Sequence, residues 1–567
     1  MLRLSSAGIA LLTLVAGTAL AGQASAQAVE HNTPSVPKGQ AVLTAAPNLV
    51  AANQDATPLA EHLLALTLLN PEEAIRPHVA RGVDMAGSPR LAGDPRSIKA
   101  LGKYLGRPIS KKLIAEIQAT IARRYRALGY PFVSLSTPPQ EVSNGALQIR
   151  VVEFKAGEVA VKGATNAAAA KDLGKAVHQK AGQDIDAHVL DEDLTWLNHY
   201  PFRQVKAAFT PGTDLGVTDL TLDVSQEKPW QVYAGYDNNG SASTGQDRYL
   251  LGGSIGNVFG HDSVLSYQGT RSQVSSKPAY TSDALAYVLP FGQHGQIEVN
   301  VDRVESVETV APFSVDLQDI DASFGYRHAL EHAGLSGLSD GRFGVEFKHE
   351  VGKTSFLGTQ VFDADYDVYD LYVGVHHIET DALGSSELDI VTHLAPGNIS
   401  HANSNAVAVA YSQGRLKNSA YLYTGVTLDR TTTITRSLEL DTAFIGQIAG
   451  DPLPRSEQVG LGGASLVRGF TLDDGSFDSA AVLRNEVHFN ALNAGAAHIQ
   501  PFLFVDLGYG KDNYTKMSKT LSSAGAGAAV YVTRHANLNV SLAQTLATGA
   551  VTKRGKTVLN LSLVSTF

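Results

Sequence analysis

The stretch from Gly460 to Phe470 reads Gly-Leu-Gly-Gly-Ala-Ser-Leu-Val-Arg-Gly-Phe, and its single charge is Arg468. Four glycines in eleven residues leave the backbone free to turn and to lie close against another surface. An arginine in such a loop seeks an anion, because its planar fork grips a carboxylate at two points, which a lysine cannot do. Three other patterns suggest chemistry but lack the context for it. Gly337-Leu338-Ser339-Asp340-Gly341 matches G-x-S-x-G, yet it falls in a turn between strand-like segments, whereas a nucleophile elbow needs strand, turn and helix. His376 and His377 are neighbours on a strand-like segment, so they point to opposite faces and cannot share a metal. Gly253 to Gly260 has no following helix to receive a phosphate. With no cysteine, disulfide and thiolate chemistry are excluded. No catalytic residue, metal or cofactor is expected, and the chain is not read as an enzyme.

The elements that must position Arg468 come from a 567-residue chain, long enough for several domains. Its net charge of −10 argues against a nucleic-acid partner. Residues 1–26 read as a signal peptide: Arg3, the apolar run Ile9 to Leu20, then Ala24-Ser25-Ala26 before Gln27. Residues 27–75 read as a linker. Within it, Leu59, Leu63, Leu66 and Leu69 recur at helical spacing after Thr57-Pro58, so residues 57–70 are expected as a helix that either packs on a neighbouring domain or plugs a pore. Residues 76–155 and 156–228 each read as a small α/β unit. In the first, Ser110 caps a helix carrying Ile114, Ile117, Ile121, Tyr125 and Leu128, ended by Gly129. In the second, helices at 166–178 and 186–197 precede paired strands at 205–209 and 218–224. Two copies of a β-α-α-β-β unit form an internal repeat, and its strand edges can accept an extended peptide.

From residue 229 to 567, sixteen segments of about ten residues alternate in hydrophobicity between turn residues, from Trp230–Asn239 to Thr557–Phe567. Asn405 to Ser412 alternates weakly and is expected in a loop. Leu503, Val505, Leu507 and Tyr509 share a face suited to lipid, while Asp506 and Gly508 share the other. The only spanning structure open to such a sequence is a closed β-barrel in an outer membrane.

The chain resembles the outer-membrane transporters of two-partner secretion, the family that exports filamentous haemagglutinins and activates haemolysins. The resemblance rests on Tyr125-Arg126-Ala127-Leu128-Gly129-Tyr130, Gln148 to Glu153, Leu194-Thr195-Trp196-Leu197-Asn198 with Pro201-Phe202-Arg203, Asp237 to Ser241, Leu461 to Phe470 and Phe504 to Gly508. It departs at Phe154, where the family usually has glycine after the glutamate. The resemblance implies two tandem POTRA domains in the periplasm and a 16-stranded antiparallel transmembrane barrel. It implies a long inward loop at 451–480 tipped by Val467, Arg468, Gly469 and Phe470, with Arg468 meeting Asp506 on the wall beside Gly508. Tyr125, Tyr130, Trp196, Leu197 and Phe202 are expected to mark the partner-binding region. The implied partner is a large secreted exoprotein, β-helical in fold, exported without nucleotide hydrolysis through a monomeric transporter bathed in outer-membrane lipid. The alternatives are a general outer-membrane assembly component of the same superfamily, a barrel-borne hydrolase using Ser339, or a plain porin.

Overall fold

The leucine-rich run before Asn70 is a strand. Ala65–Leu69 is buried along its whole length and pairs in parallel with both Gly82–Asp84 and Ala146–Glu153. The expected helix at 57–70, and with it a plug built from that helix, is therefore corrected. A short apolar run buried on both faces satisfies helical and strand spacing equally well, and the neighbouring strands decide. The computed structural model describes residues 30, 34 and 53–567 apart from 215, 274–278, 293, 311, 331–336, 382, 496 and 534. The signal peptide and about half of the linker lie outside the described residues.

The first repeat completes its sheet with Val133–Ser136, in the spatial order 82–84, 65–69, 146–153, 133–136. Its sheet thus begins before residue 76. Lys111–Ala127 lies against it, capped by Ser110, whose hydroxyl accepts the Leu113 amide at 3.2 Å. Leu113, Ile117, Ile121 and Tyr125 bury one helical stripe with Leu66, Leu68, Leu147 and Ile149. The helix ends where Gly129 adopts φ +88°.

The second repeat orders its sheet as Lys155–Lys162, Val217–Gln226 and Arg203–Pro211. Ala167–Lys175 and Ala187–Leu197 supply Leu173, Leu190, Leu194 and Leu197 to its core. At Phe154 the aromatic ring packs with Phe132, Ala156, Ile185 and Phe209, so the missing glycine is replaced by a contact between the repeats. The Phe132 and Phe209 rings lie 4.2 Å apart, and Arg90 pairs with both Glu153 and Asp184.

Burial raises the Asp191 carboxyl on this second helix to about 6, with Asp186 adding to the rise. A carboxyl raised above its unfolded value destabilises the fold at neutral pH, and that cost fades as pH falls from about 6 toward the unfolded value of about 4. Asp191→Asn is expected to raise the thermal midpoint at pH 7.5, with the difference vanishing near pH 4 in a melting series.

The barrel closes with sixteen antiparallel strands, Ser479–Phe489 and Leu492–Ala494 counting as one interrupted strand because both pair with Ala497–Lys511. Thr557–Thr566 returns to Trp230–Asp237, joining Ser562 to Asp237 and Thr566 to Tyr233. On Ala497–Lys511, Leu503, Val505, Leu507 and Tyr509 face outward and exposed, while Phe502, Phe504 and Asp506 alternate with them and are buried. Leu338–Phe356 and Thr359–Thr380 run to 19 and 22 residues, well beyond the ten or so that cross a bilayer. Beyond the lipid no apolar face is required, which is why the regular alternation stops short in the sequence. Asn405–Tyr411, expected in a loop, lies in the loop at 396–420 and forms a helix there. Ser404 caps it, and Ala408 buries against a cluster containing Tyr366, Tyr421 and Leu453.

Candidate functional site: the inward loop and the wall it grips

Residues 450–478 leave the barrel rim after Leu438–Ala449 and return at Ser479. Val459–Gly460 pairs antiparallel with Ser476–Phe477, making a narrow stem. Beyond it Leu461, Leu466, Val467 and Phe470 are buried with Ile445, Val482 and Leu521 of the wall. The loop therefore occupies the inside of the cylinder, held first by apolar contact.

Arg468 completes the docking. Its Nε donates to Asp506 Oδ2 at 2.7 Å and its Nη2 to Oδ1 at 2.6 Å, a two-point grip, and its backbone amide donates to Oδ2 at 3.1 Å. Its Nη1 donates to Glu486 Oε1 at 2.6 Å, and the guanidinium lies 3.6 Å from the centre of the Phe504 ring. Arg468 is 4% exposed and Asp506 0%, so the pair is dry in this state. Arg484, directly across the ladder from Asp506, donates to the Ser465 carbonyl at 2.9 Å and sits 3.3 Å from Glu486. Two arginines and two carboxylates thus balance one another beneath the loop tip. The motif reading missed Glu486 and Arg484, and it included Phe504 in the wall motif without giving it a contact. The signal for the two missed residues was there: 484, 486 and 488 are polar at period two on the strand paired with Asp506.

Gly508 explains why the tip fits. A Cβ at that position would stand 2.7 Å from Val467 Cγ2, and Gly469 turns at φ +87° against Ala543 and Thr545. Gly508→Val is expected to lift Val467 off the wall and to speed protease cleavage near residue 465 at least tenfold, whereas Gly510→Ala on the same strand meets the Phe477 ring and leaves the tip contact in place.

Further carboxylates pin the loop to its surroundings. Asp473 accepts from the amides of Ala242 and Ser243, and Asp474 from those of Val551 and Thr552. Asp478 accepts from Leu453, Arg415, Gln458 and Asn513. Arg248, another residue the motif reading passed over, holds Glu30 at 2.8 and 2.6 Å under the Tyr280 ring, so part of the expected linker is bound to the barrel wall.

The expected partner-binding residues do not form one surface. Tyr125, Leu197 and Phe202 are 0%, 6% and 4% exposed and belong to the cores of the repeats. The Tyr125 hydroxyl donates to Glu153 Oε1 at 2.6 Å. This corrects their assignment as contact residues, because an apolar motif marks what folds the repeat as readily as what it binds. Tyr130, beneath Arg90 at 3.8 Å, and Trp196 are partly exposed.

Ser339 lies on Leu338–Phe356, with its hydroxyl 2.8 Å from His377 Nδ1, and among the described residues no carboxylate is bonded to that ring. His376, on the other face, meets Asp340 and Glu387 at 2.9 and 3.0 Å. The strand Arg248–Gly256 runs into a turn, with no helix after Gly260.

Comparison with known proteins places this geometry. A family model described as haemolysin secretion/activation protein ShlB/FhaC/HecB matches residues 216–318 and 343–530, just over half the chain, and a POTRA domain of ShlB type matches 78–153. The chain is 24% identical over 345 residues to the hemolysin transporter protein ShlB of Serratia marcescens, an alignment spanning 58% of each protein. It is 22% identical over 490 residues to the heme/hemopexin transporter protein HuxB of Haemophilus influenzae, covering 82% of this chain and 83% of that one. CdiB from Escherichia coli has a similar fold, with a TM-score of 0.67 at 18% identity over the whole of both chains, and CdiB from Acinetobacter baumannii gives 0.59 at 16%.

Proposed function

Because this chain belongs to the ShlB/FhaC/HecB family of haemolysin secretion/activation proteins, outer-membrane transporters with periplasmic POTRA domains, we propose that it exports one unfolded exoprotein partner through its barrel without hydrolysing nucleotide. The observation that carries this reading is the buried grip of Arg468 on Asp506. A loop that fills the lumen and whose tip is held by a four-charge cluster is a closed state with a defined release at that tip. Arg484 can take over Asp506 or Glu486 when Arg468 leaves, so neither carboxylate is stranded while the loop moves. A plain porin has no need of such a device.

The second repeat has Lys155–Lys162 and Arg203–Pro211 as the outer strands of its sheet, where an extended segment of the partner can add as a further strand. Folding of the exported chain outside the cell then makes its return unfavourable. The partner is a large β-helical exoprotein, the transporter acts as a monomer, and no step uses a catalytic residue. The contact between Ser339 and His377 is the one feature favouring a hydrolase, and it uses Nδ1 with no orienting carboxylate. Ser339→Ala is expected to leave secretion and any esterase signal unchanged.

The test is to look for a large secreted β-helical protein encoded beside this chain and to co-express the two. That protein should reach the medium only when this chain is present. Equal export in cells lacking the chain would overturn the assignment.

A further inference from the structure

The turn Arg455–Glu457 of the inward loop rests on a second patch of wall, formed by Leu338–Phe356, Thr359–Thr380 and Gly384–Ala395. Five carboxylates are buried or nearly buried there: Asp321, Glu346, Glu350, Asp370 and Glu457. Facing them are the Lys348 ammonium and the His393 imidazole. Lys348 Nζ lies 2.7 Å from Glu457, 3.4 Å from Glu346 and 3.6 Å from Asp321. Glu350 is satisfied by the hydroxyls of Ser456 at 2.5 Å and Tyr411 at 2.8 Å, and Asp370 Oδ2 accepts from Tyr421 at 3.2 Å. Glu346 Oε2, Asp370 Oδ1 and His393 Nδ1 are among the buried atoms left with no hydrogen bond here, as is Lys348 Nζ, which makes ion pairs only. Burying this much unbalanced negative charge is costly unless a further cation compensates it.

We propose that Glu346, Asp370 and His393 bind a divalent cation of the zinc or manganese class inside the barrel wall. Their ligand atoms all lie within 4.8 Å of one another. His393 Nδ1 is 3.3 Å from Asp370 Oδ2 and 3.9 Å from Glu346 Oε2. Two donors each about 2.1 Å from one tetrahedral ion stand roughly 3.4 Å apart, so small side-chain shifts close the site. An imidazole with two carboxylates suits zinc or manganese, whereas calcium and magnesium take oxygen ligands. The His393 ring is fixed by stacking on Tyr423, with centroids 4.6 Å apart and planes 6° from parallel. Tyr423 in turn donates to Glu457 at 2.7 Å. The ion is thus joined to the loop through two side chains, His393 and Tyr423, and braces the wall that the loop rests on.

The test uses the full-length protein in detergent, stripped with a chelator and titrated with zinc, with manganese and calcium as further probes. One zinc or manganese per chain is expected, with a rise in the thermal midpoint. Asp370→Asn, His393→Gln and Glu346→Gln should each weaken binding at least tenfold, while His261→Gln, an exposed histidine in a turn, should bind as the parent does. A parent protein that holds no more zinc or manganese than His393→Gln, or that binds only calcium, overturns the site. Glu346→Gln removes charge without removing volume, so it serves if the other variants fail to assemble. Full zinc retention by folded Glu346→Gln also overturns the site.

Discussion

Arg468→Ala is expected to abolish most export while the barrel still assembles. The substitution leaves Asp506, fully buried, with Arg484 Nε at 3.9 Å as its nearest cation, and strips Glu486 of its closest partner. Removing one member of a buried pair costs about 3–5 kcal/mol, and the low exposure of both residues puts this pair in the dry limit. If that cost falls wholly on the docked state, the undocked population rises by roughly two to four powers of ten. Asp506→Asn should act in the same direction, with a smaller effect because the amide still accepts one bond. Arg468→Lys keeps the charge and loses the fork, so it should fall between the parent and alanine. The measurement is the amount of exoprotein in the medium alongside the rate of protease cleavage in the loop. Secretion and cleavage both at the parent's level in Arg468→Ala would show that the pair holds nothing that matters.

Asp478→Ala carries the second large effect, at the base of the loop instead of its tip. Asp478 is 0% exposed, and its two oxygens accept from the Leu453 and Asn513 amides at 2.8 and 2.6 Å, from Arg415 at 2.6 Å and from Gln458 at 3.1 Å. Alanine leaves the Leu453 and Asn513 amides without a partner in a place water does not reach. Each unmatched donor costs about 1–3 kcal/mol, and Arg415 keeps Asp512 and a long 3.5 Å bond to the Leu453 carbonyl. The sum reaches at least about 3 kcal/mol on the segment joining the descending arm to the helix Asn405–Tyr411. The expected reading is a lower thermal midpoint and early protease cuts between 450 and 458. Asp478→Asn should recover part of the loss, because its carbonyl can still accept from one amide. A melting curve matching the parent's would mean that water or a shifted side chain satisfies these donors.

Much of the barrel was legible because a strand with one wet and one lipid face must alternate, and that period survives in sequence whatever the strand's neighbours. Hence all sixteen wall segments could be read without coordinates, and only their ends were misplaced, where Leu338–Phe356 and Thr359–Thr380 run past the lipid and alternation is no longer enforced. The repeats were legible for the same reason, through the stripe Ile114, Ile117, Ile121, Tyr125 and Leu128, of which Ile117, Ile121 and Tyr125 are buried while Leu113 takes the place of Ile114. Ala65–Leu69 was not. A segment buried on both sides has no polar face to set a period, so its leucines fitted a helix equally well.

By itself the sequence determined the order of domains, the count of wall strands and the glycine-softened loop with its lone guanidinium, since each is written in local composition or local period. Only the tertiary structure decided which charges meet. Glu486 and Arg484 join Arg468 across 18 and 16 positions, and Lys348 reaches Glu457 across more than 100, through pairings set by strand register and by the loop's path through the lumen. It also decided that Tyr125, Leu197 and Phe202 build the repeats and are not open to a partner. A side chain's type states what it can bond, but closure of the barrel sets which groups lose water together, and there the electrostatic energy is decided.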